Sequence, residues 1–289
     1  MNIKGIAKNH SLLAKIFEWI GICIISTFCS ILLWQMIFGS TDITSLKWLQ
    51  LLQSISLFLI PSIFCAFLWS DQPADFLCIT KAPSWKDICF AMGIIIVGLP
   101  AINMLSNLNQ QLVLPDFLKD LEIYIKEMET SAEALTEQFV KADNIGQLTI
   151  NILLMALTPA LCEEFCFRGT MQNVLNEKSK NKNINVWVVA FIFSFIHFQF
   201  YGFLPRLLLG AFLGYLLVWT KSIWVPIIAH FTNNACSVIA YYIVSKKSSI
   251  NIDDIDSLGS GDTLWVGILS CFCIGLGIYF YLHTKKSAE

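Results

Sequence analysis

Residues 145–170 read IGQLTINILLMALTPALCEEFCFRGT, an apolar run that ends with Glu163, Glu164 and Arg168 crowded into six positions. A bilayer core about 30 Å thick needs roughly 20 apolar residues per helix, and the stretch from about Ile145 to Phe167 meets that length. The same ruler moved along the chain predicts spans at about Phe17 to Phe38, Trp48 to Trp69, Ile88 to Leu105, Val186 to Phe200, Phe203 to Trp219, Ile223 to Val244 and Thr263 to Leu282. The fifth and sixth spans are separated only by Tyr201 and Gly202, with Pro205 following, which predicts a tight helical hairpin. The expected fold is an all-α, polytopic transmembrane bundle of about eight spans, forming one membrane domain over residues 1–289.

Composition agrees. Of 289 residues, 56% are hydrophobic and 14% charged, and the mean hydropathy is +0.64, too apolar for an ordinary soluble domain. The bilayer is therefore the first expected partner. The net charge of -2, with basic residues scattered, excludes a nucleic-acid groove. Cys23, Cys29, Cys65, Cys89, Cys236, Cys271 and Cys273 lie in apolar runs and read as small buried hydrophobes rather than disulfide partners. No Cys/His spacing suits a zinc finger. The N-terminus, with Lys4, Lys8 and Lys15, reads as the flank of an uncleaved first span. Lys81, Lys86, Lys178, Lys180, Lys182, Lys221, Lys285 and Lys286 fall on the same side, whereas Lys119, Lys126, Lys141, Lys246 and Lys247 lie opposite in longer loops where the positive-inside rule weakens; the rule thus places both termini in the cytoplasm, and the expected location is the cell inner membrane.

Residues 108–144 form a connector of different character. Between Pro115 and Lys141, Phe117, Leu121, Ile125, Met128, Leu135 and Phe139 recur at helical spacing, predicting an amphipathic extramembrane helix. It reads either as a lid or as a solvated connector packed on the bundle. The acidic run Asp253, Asp254 and Asp256 lacks EF-hand spacing and reads as a solvated loop.

The charges in the fourth span should be rejected by lipid unless they face protein or water; on insertion scales three of them cost on the order of 8 to 10 kcal/mol. Residues four apart share a helix face, so Glu164 and Arg168 form a self-neutralising pair. Glu163 is left over and suits a general base. The fifth span adds His197, four residues after Phe193, and the seventh adds His230 and Asn234 on one face. Each motif alone has a plain structural reading, such as an ion pair, a backbone-bonded histidine or a helix–helix hydrogen bond. Counted from the predicted cytoplasmic ends, Glu163 lies about 9 Å deep, His230 about 12 Å and His197 about 18 Å, which allows one shared cavity in the cytoplasmic half.

In order, EExxxR is met by Glu163, Glu164 and Arg168, FxxxH by Phe193 and His197, and HxxxN by His230 and Asn234. Over about residues 148–237 the chain resembles the CAAX protease and bacteriocin-processing family, which includes type II CAAX prenyl endopeptidases and abortive-infection proteins. The resemblance implies a catalytic core there, acting on peptides or lipidated proteins at the membrane. It implies that Glu163 and His197 activate water, that His230 and Asn234 stabilise the tetrahedral intermediate, and that Glu164 and Arg168 support them. Members are often called metalloproteases, and Glu163, His197 and His230 could ligate Zn²⁺, although the preferred expectation is metal-free. Asn233 is expected to be a packing residue, although a slightly rotated helix could use it in place of Asn234. A non-catalytic scaffold or immunity protein, and a proton-coupled transporter, are the alternative functions.

Overall fold

The computed structural model describes residues 3–246 and 257–286; Lys247 and the acidic run Asp253, Asp254 and Asp256 lie outside them. The described residues form helices and no strand: α1 (Leu12–Ile37), α2 (Ile43–Trp69), α3 (Trp85–Gln110), α4 (Lys119–Val140), α5 (Ile145–Lys178), α6 (Lys182–Phe195), α7 (Phe203–Thr220), α8 (Trp224–Lys246) and α9 (Leu264–Lys286). All but α4 and α6 lie in segments long and apolar enough to cross a membrane. The eight-span expectation thus resolves into seven long spans and one shorter apolar helix, α6. This is an integral, multi-pass membrane protein.

The helix starts are written in the sequence as polar caps. Side chains of Ser11, Asp42, Ser84, Asn144 and Asn181 each accept a hydrogen bond from a backbone N–H in the first turn that follows. Two helices are wound unevenly. In α2 and α5, π-helical turns at Ile55–Leu59 and Ile152–Leu157 stand just before Pro61 and Pro159, whose missing N–H interrupts the regular ladder. A third π-helical segment, Phe165–Gln172, follows Glu164 and carries Arg168.

The connections sort into two ends. At the terminus end, the Gly5 and Ala7 N–H groups bond to the Phe67 and Leu68 carbonyls, Lys15 pairs with Glu177 at 2.9 Å, and Ser222 Oγ donates to the Lys81 carbonyl. At the other end α4 caps the bundle. Lys246 Nζ donates to the Asp143 carbonyl there, and Asn151 Nδ2 to the carbonyls of Val140 and Lys141.

Helices α6 and α7 form a hairpin, but its connection runs over residues 196–202 rather than Tyr201 and Gly202 alone, so His197 lies just past the end of α6. Their close approach depends on Gly210 and Gly214, where a Cβ would come within 3.0 Å of Phe193 and 2.9 Å of Val186. Ser194 Oγ ties the hairpin by donating to the Phe203 carbonyl at 2.7 Å.

Two further expectations need correction. Phe117, in the turn before α4, and Leu121, Met128 and Leu135 within it are exposed, while Glu122 and Glu129 are buried, so polar contacts rather than most of the apolar stripe dock this segment. Phe139 is buried as expected. Among the cysteines, Cys23 and Cys65 are buried, but Cys29, Cys89, Cys271 and Cys273 are exposed on the bundle's surface, where a lipid solvent removes the penalty of exposing an apolar group.

Candidate active site

Helix α5 presents its two carboxylates to different surroundings. Glu164 is fully buried, and its Oε1 accepts from Arg168 Nη1 at 2.7 Å and from His230 Nδ1 at 2.9 Å. Arg168 Nη2 continues the network to the Gly210 carbonyl at 2.8 Å, and one helical turn on, Gln172 Nε2 donates to the Gly214 carbonyl. Ions this deep require good geometry to offset their desolvation, and helices α5, α7 and α8 are locked together by that requirement. Glu164 Oε2 and Arg168 Nε have no hydrogen-bond partner among the described residues.

Glu163 stands outside this network and opens onto a cavity of about 380 Å³. The cavity is also lined by Phe193, His197, Arg206, His230, Asn233 and Asn234. The structure therefore brings Glu163, His197, His230 and Asn234 to one chamber, while Glu164 and Arg168 sit behind it.

The two histidines are held alike. His197 Nδ1 lies 2.6 Å from the Phe193 carbonyl and donates to it, which leaves Nε2 with a free lone pair. His230 Nδ1 donates to Glu164 Oε1, leaving its own Nε2 outward. Phe193, 2% exposed, braces both rings edge-on, with centroids 5.0 Å from His197 and 6.0 Å from His230, and the Arg168 guanidinium lies 4.7 Å over its face. The FxxxH phenylalanine thus holds the imidazoles rather than merely filling the helix interface. Just beyond His197, Phe198 adopts a left-handed conformation at φ 51° to turn the chain out of α6, a strain of order 1 kcal/mol or more for a bulky side chain.

Asn233 is not a packing residue alone. Its Nδ2 donates to Asn234 Oδ1 at 3.1 Å, which fixes the Asn234 amide so that its NH₂ is the group left to donate. Three further polar liners, Asn103, Ser106 and Arg206, escaped the sequence reading. Arg206 had a signal, being an arginine in the first turns of an otherwise apolar span, which is a functional candidate by default. Asn103 and Ser106 had none, because neutral polar residues near span ends are common.

Depth counting agrees for His230, six residues past the start of α8, but Glu163 lies fifteen residues before the end of α5, deeper than counted. The chamber has Glu163 and His230 at its floor. Its walls, Ile102, Asn103 and Ser106 of α3 with Gly202 and Pro205 at the start of α7, rise toward the end capped by α4. Helix ends are offset by the hairpin and by the extra length of α5, which counting along single helices does not see.

Among the described residues no group of three or more His, Cys, Asp or Glu side chains is gathered closely enough to hold a metal ion. Glu163, His197 and His230 share a chamber but, as placed, do not form a zinc-ligand set.

Residues 145–236 match the family of the type II CAAX prenyl endopeptidase Rce1-like proteins. This Rce1-like segment is about a third of the chain and contains all three motifs. The uncharacterized protein YpbD of Bacillus subtilis (strain 168) is 29% identical over 89 residues, covering 29% of this chain and 42% of that relative. The chain thus spans less than half the length of that relative. No solved structure matches the chain.

Proposed function

We propose that the protein is an intramembrane endopeptidase that hydrolyses peptide bonds of membrane-associated or lipidated, CAAX-type substrates. The observation that carries the reading is the separation of the two carboxylates. Glu164 is committed to Arg168 and His230, and Glu163 faces a chamber also lined by His197 and His230, each with its Nδ1 already engaged.

Water held between Glu163 and His197 Nε2 gives its proton to Glu163 as its oxygen attacks the scissile carbonyl carbon. The resulting oxyanion is stabilised by the Asn234 NH₂, which donates to it, and by His230, whose ring Glu164 holds through Nδ1–H. Collapse of the intermediate breaks the C–N bond, and Glu163 returns its proton to the departing amine. No step is routed through a metal.

The substrate class is supported by a second, apolar cavity of about 350 Å³ between α3, α6, α7 and α9, which shares Ile102, Pro205 and Leu209 with the catalytic chamber. An acyl or isoprenoid chain, or a substrate's own transmembrane segment, would occupy apolar space next to the scissile bond. By the positive-inside rule the lysine-rich terminus end is cytoplasmic, and the chamber then admits substrate from the opposite, α4 side. Hydrolysis in H₂¹⁸O tests the chemistry: one labelled oxygen should appear in each newly formed carboxylate, and the absence of new carboxyl termini would refute it.

A further inference from the structure

Arg206 is a cation that the proposed hydrolytic steps do not use. It sits in the first turn of α7 and lines the catalytic chamber. Nη2 donates to Gln199 Oε1. Nη1 is enclosed by the protein and has no hydrogen-bond partner among the described residues. The charged groups that face it are Glu163 of α5 and Glu129 of α4, and neither forms an ion pair with it. Gly202 gives the guanidinium its room, because a Cβ there would lie 3.1 Å from Nη2.

A guanidinium in an apolar bundle is costly unless its donors are used, and its planar fork matches a carboxylate. Here one arm of the fork is fixed by Gln199, the other keeps an unused donor, and the side chain lines the same chamber as Glu163. We propose that Arg206 is the specificity-determining residue that binds a carboxylate of the substrate, setting the distance from that anionic group to the bond attacked at Glu163. This rests on the endopeptidase reading for the word substrate; the anion site itself follows from the guanidinium. The carboxylate is either the free C-terminus of the peptide or an acidic side chain.

Three N-dodecanoyl tripeptides separate the possibilities: one with a free C-terminal carboxylate, its C-terminal amide, and the amide carrying one aspartate. Affinity for the purified, detergent-solubilised full chain is measured on ice, with cleavage followed in parallel by mass spectrometry. One or both carboxylate-bearing peptides should bind at least tenfold more tightly than the neutral amide, and whichever does identifies the source. Arg206→Gln should abolish the preference and Arg206→Lys should retain part of it, with helix content unchanged by circular dichroism. Equal binding of all three peptides to the wild-type chain, or a preference that survives Arg206→Gln, overturns the assignment. Should Arg206→Gln fail to fold, the wild-type comparison and Arg206→Lys still decide it. Acid preference without cleavage contradicts the endopeptidase reading alone, and cleavage without acid preference contradicts the Arg206 assignment alone.

Discussion

Glu164 Oε1 lies 2.9 Å from His230 Nδ1, so the carboxylate adjacent to the proposed base is the one that orients the histidine of another helix. The same oxygen accepts from Arg168 at 2.7 Å. One atom therefore joins the EExxxR and HxxxN motifs, and the consequences of removing it are distinct from those of removing Glu163.

Glu164→Ala should cost about 3–5 kcal/mol of stability, because it leaves Arg168 as a buried cation without its counter-ion. Glu164→Gln should keep the shape, lower kcat by about 10²-fold through loss of His230 orientation, and leave KM nearly unchanged. Denaturation curves and steady-state kinetics on the same preparations check both.

Asn234→Ala should lower kcat by about 10²–10³-fold with little change in KM, as expected for a donor used only by the oxyanion. Asn233→Ala should produce a smaller loss in the same direction, because it frees the Asn234 amide to rotate out of the donating orientation. A larger effect at Asn233 than at Asn234 would reverse the two roles.

Helix α4 pins the turn that follows His197. Glu129 Oε1 accepts from the backbone N–H groups of Phe200 and Tyr201 at 2.6 and 3.2 Å, and Glu122 accepts from Lys126 at 2.6 Å and from the Tyr201 hydroxyl at 3.2 Å. The hydrogen bond from Lys126 holds the Glu122 carboxyl below its ordinary value of 4.5. A depressed folded-state value means that the stabilisation is present above the ordinary value and is lost as pH falls through the folded one. Because Glu122 holds the Tyr201 hydroxyl, the hydrogen-exchange protection factor around Tyr201 should fall below about pH 4.5 in the wild type, and Glu129→Ala should lower protection at Phe200 and Tyr201 already at neutral pH.

The bundle, its hairpin and the motif residues were legible in the sequence because lipid imposes a simple rule. Apolar runs have the length of the membrane, and charges within them demand a protein partner. Splitting Glu163 from Glu164 needed only the helical period. The location of the chamber was not legible, since it depends on how far α6 and α7 are offset against α5. The docking of α4 was hidden for a related reason. Its apolar periodicity pointed to one face, whereas its contacts run through Glu122 and Glu129 to backbone donors that no side-chain pattern displays.

The chamber's direction can be measured without a known substrate. In intact cells or right-side-out vesicles, Ser106→Cys should react with a membrane-impermeant maleimide added to the non-cytoplasmic side, above the background of the native cysteines. Labelling only from the cytoplasmic side would reverse the proposed access route.

Chelation addresses the zinc question separately. In the mechanism proposed, activity survives dialysis against 1,10-phenanthroline; loss of activity restored by added Zn²⁺ would require Glu163, His197 and His230 to move together around the ion.

The central claim is that Glu163 activates water for peptide hydrolysis. Its most direct test is mass-spectrometric analysis of new peptide termini when the purified chain, reconstituted in liposomes, is presented with a library of membrane-anchored peptides. The wild type should generate defined cleavage products, and Glu163→Gln, correctly folded, should generate none. Undiminished cleavage by Glu163→Gln, or no cleavage by the wild type, would contradict the account.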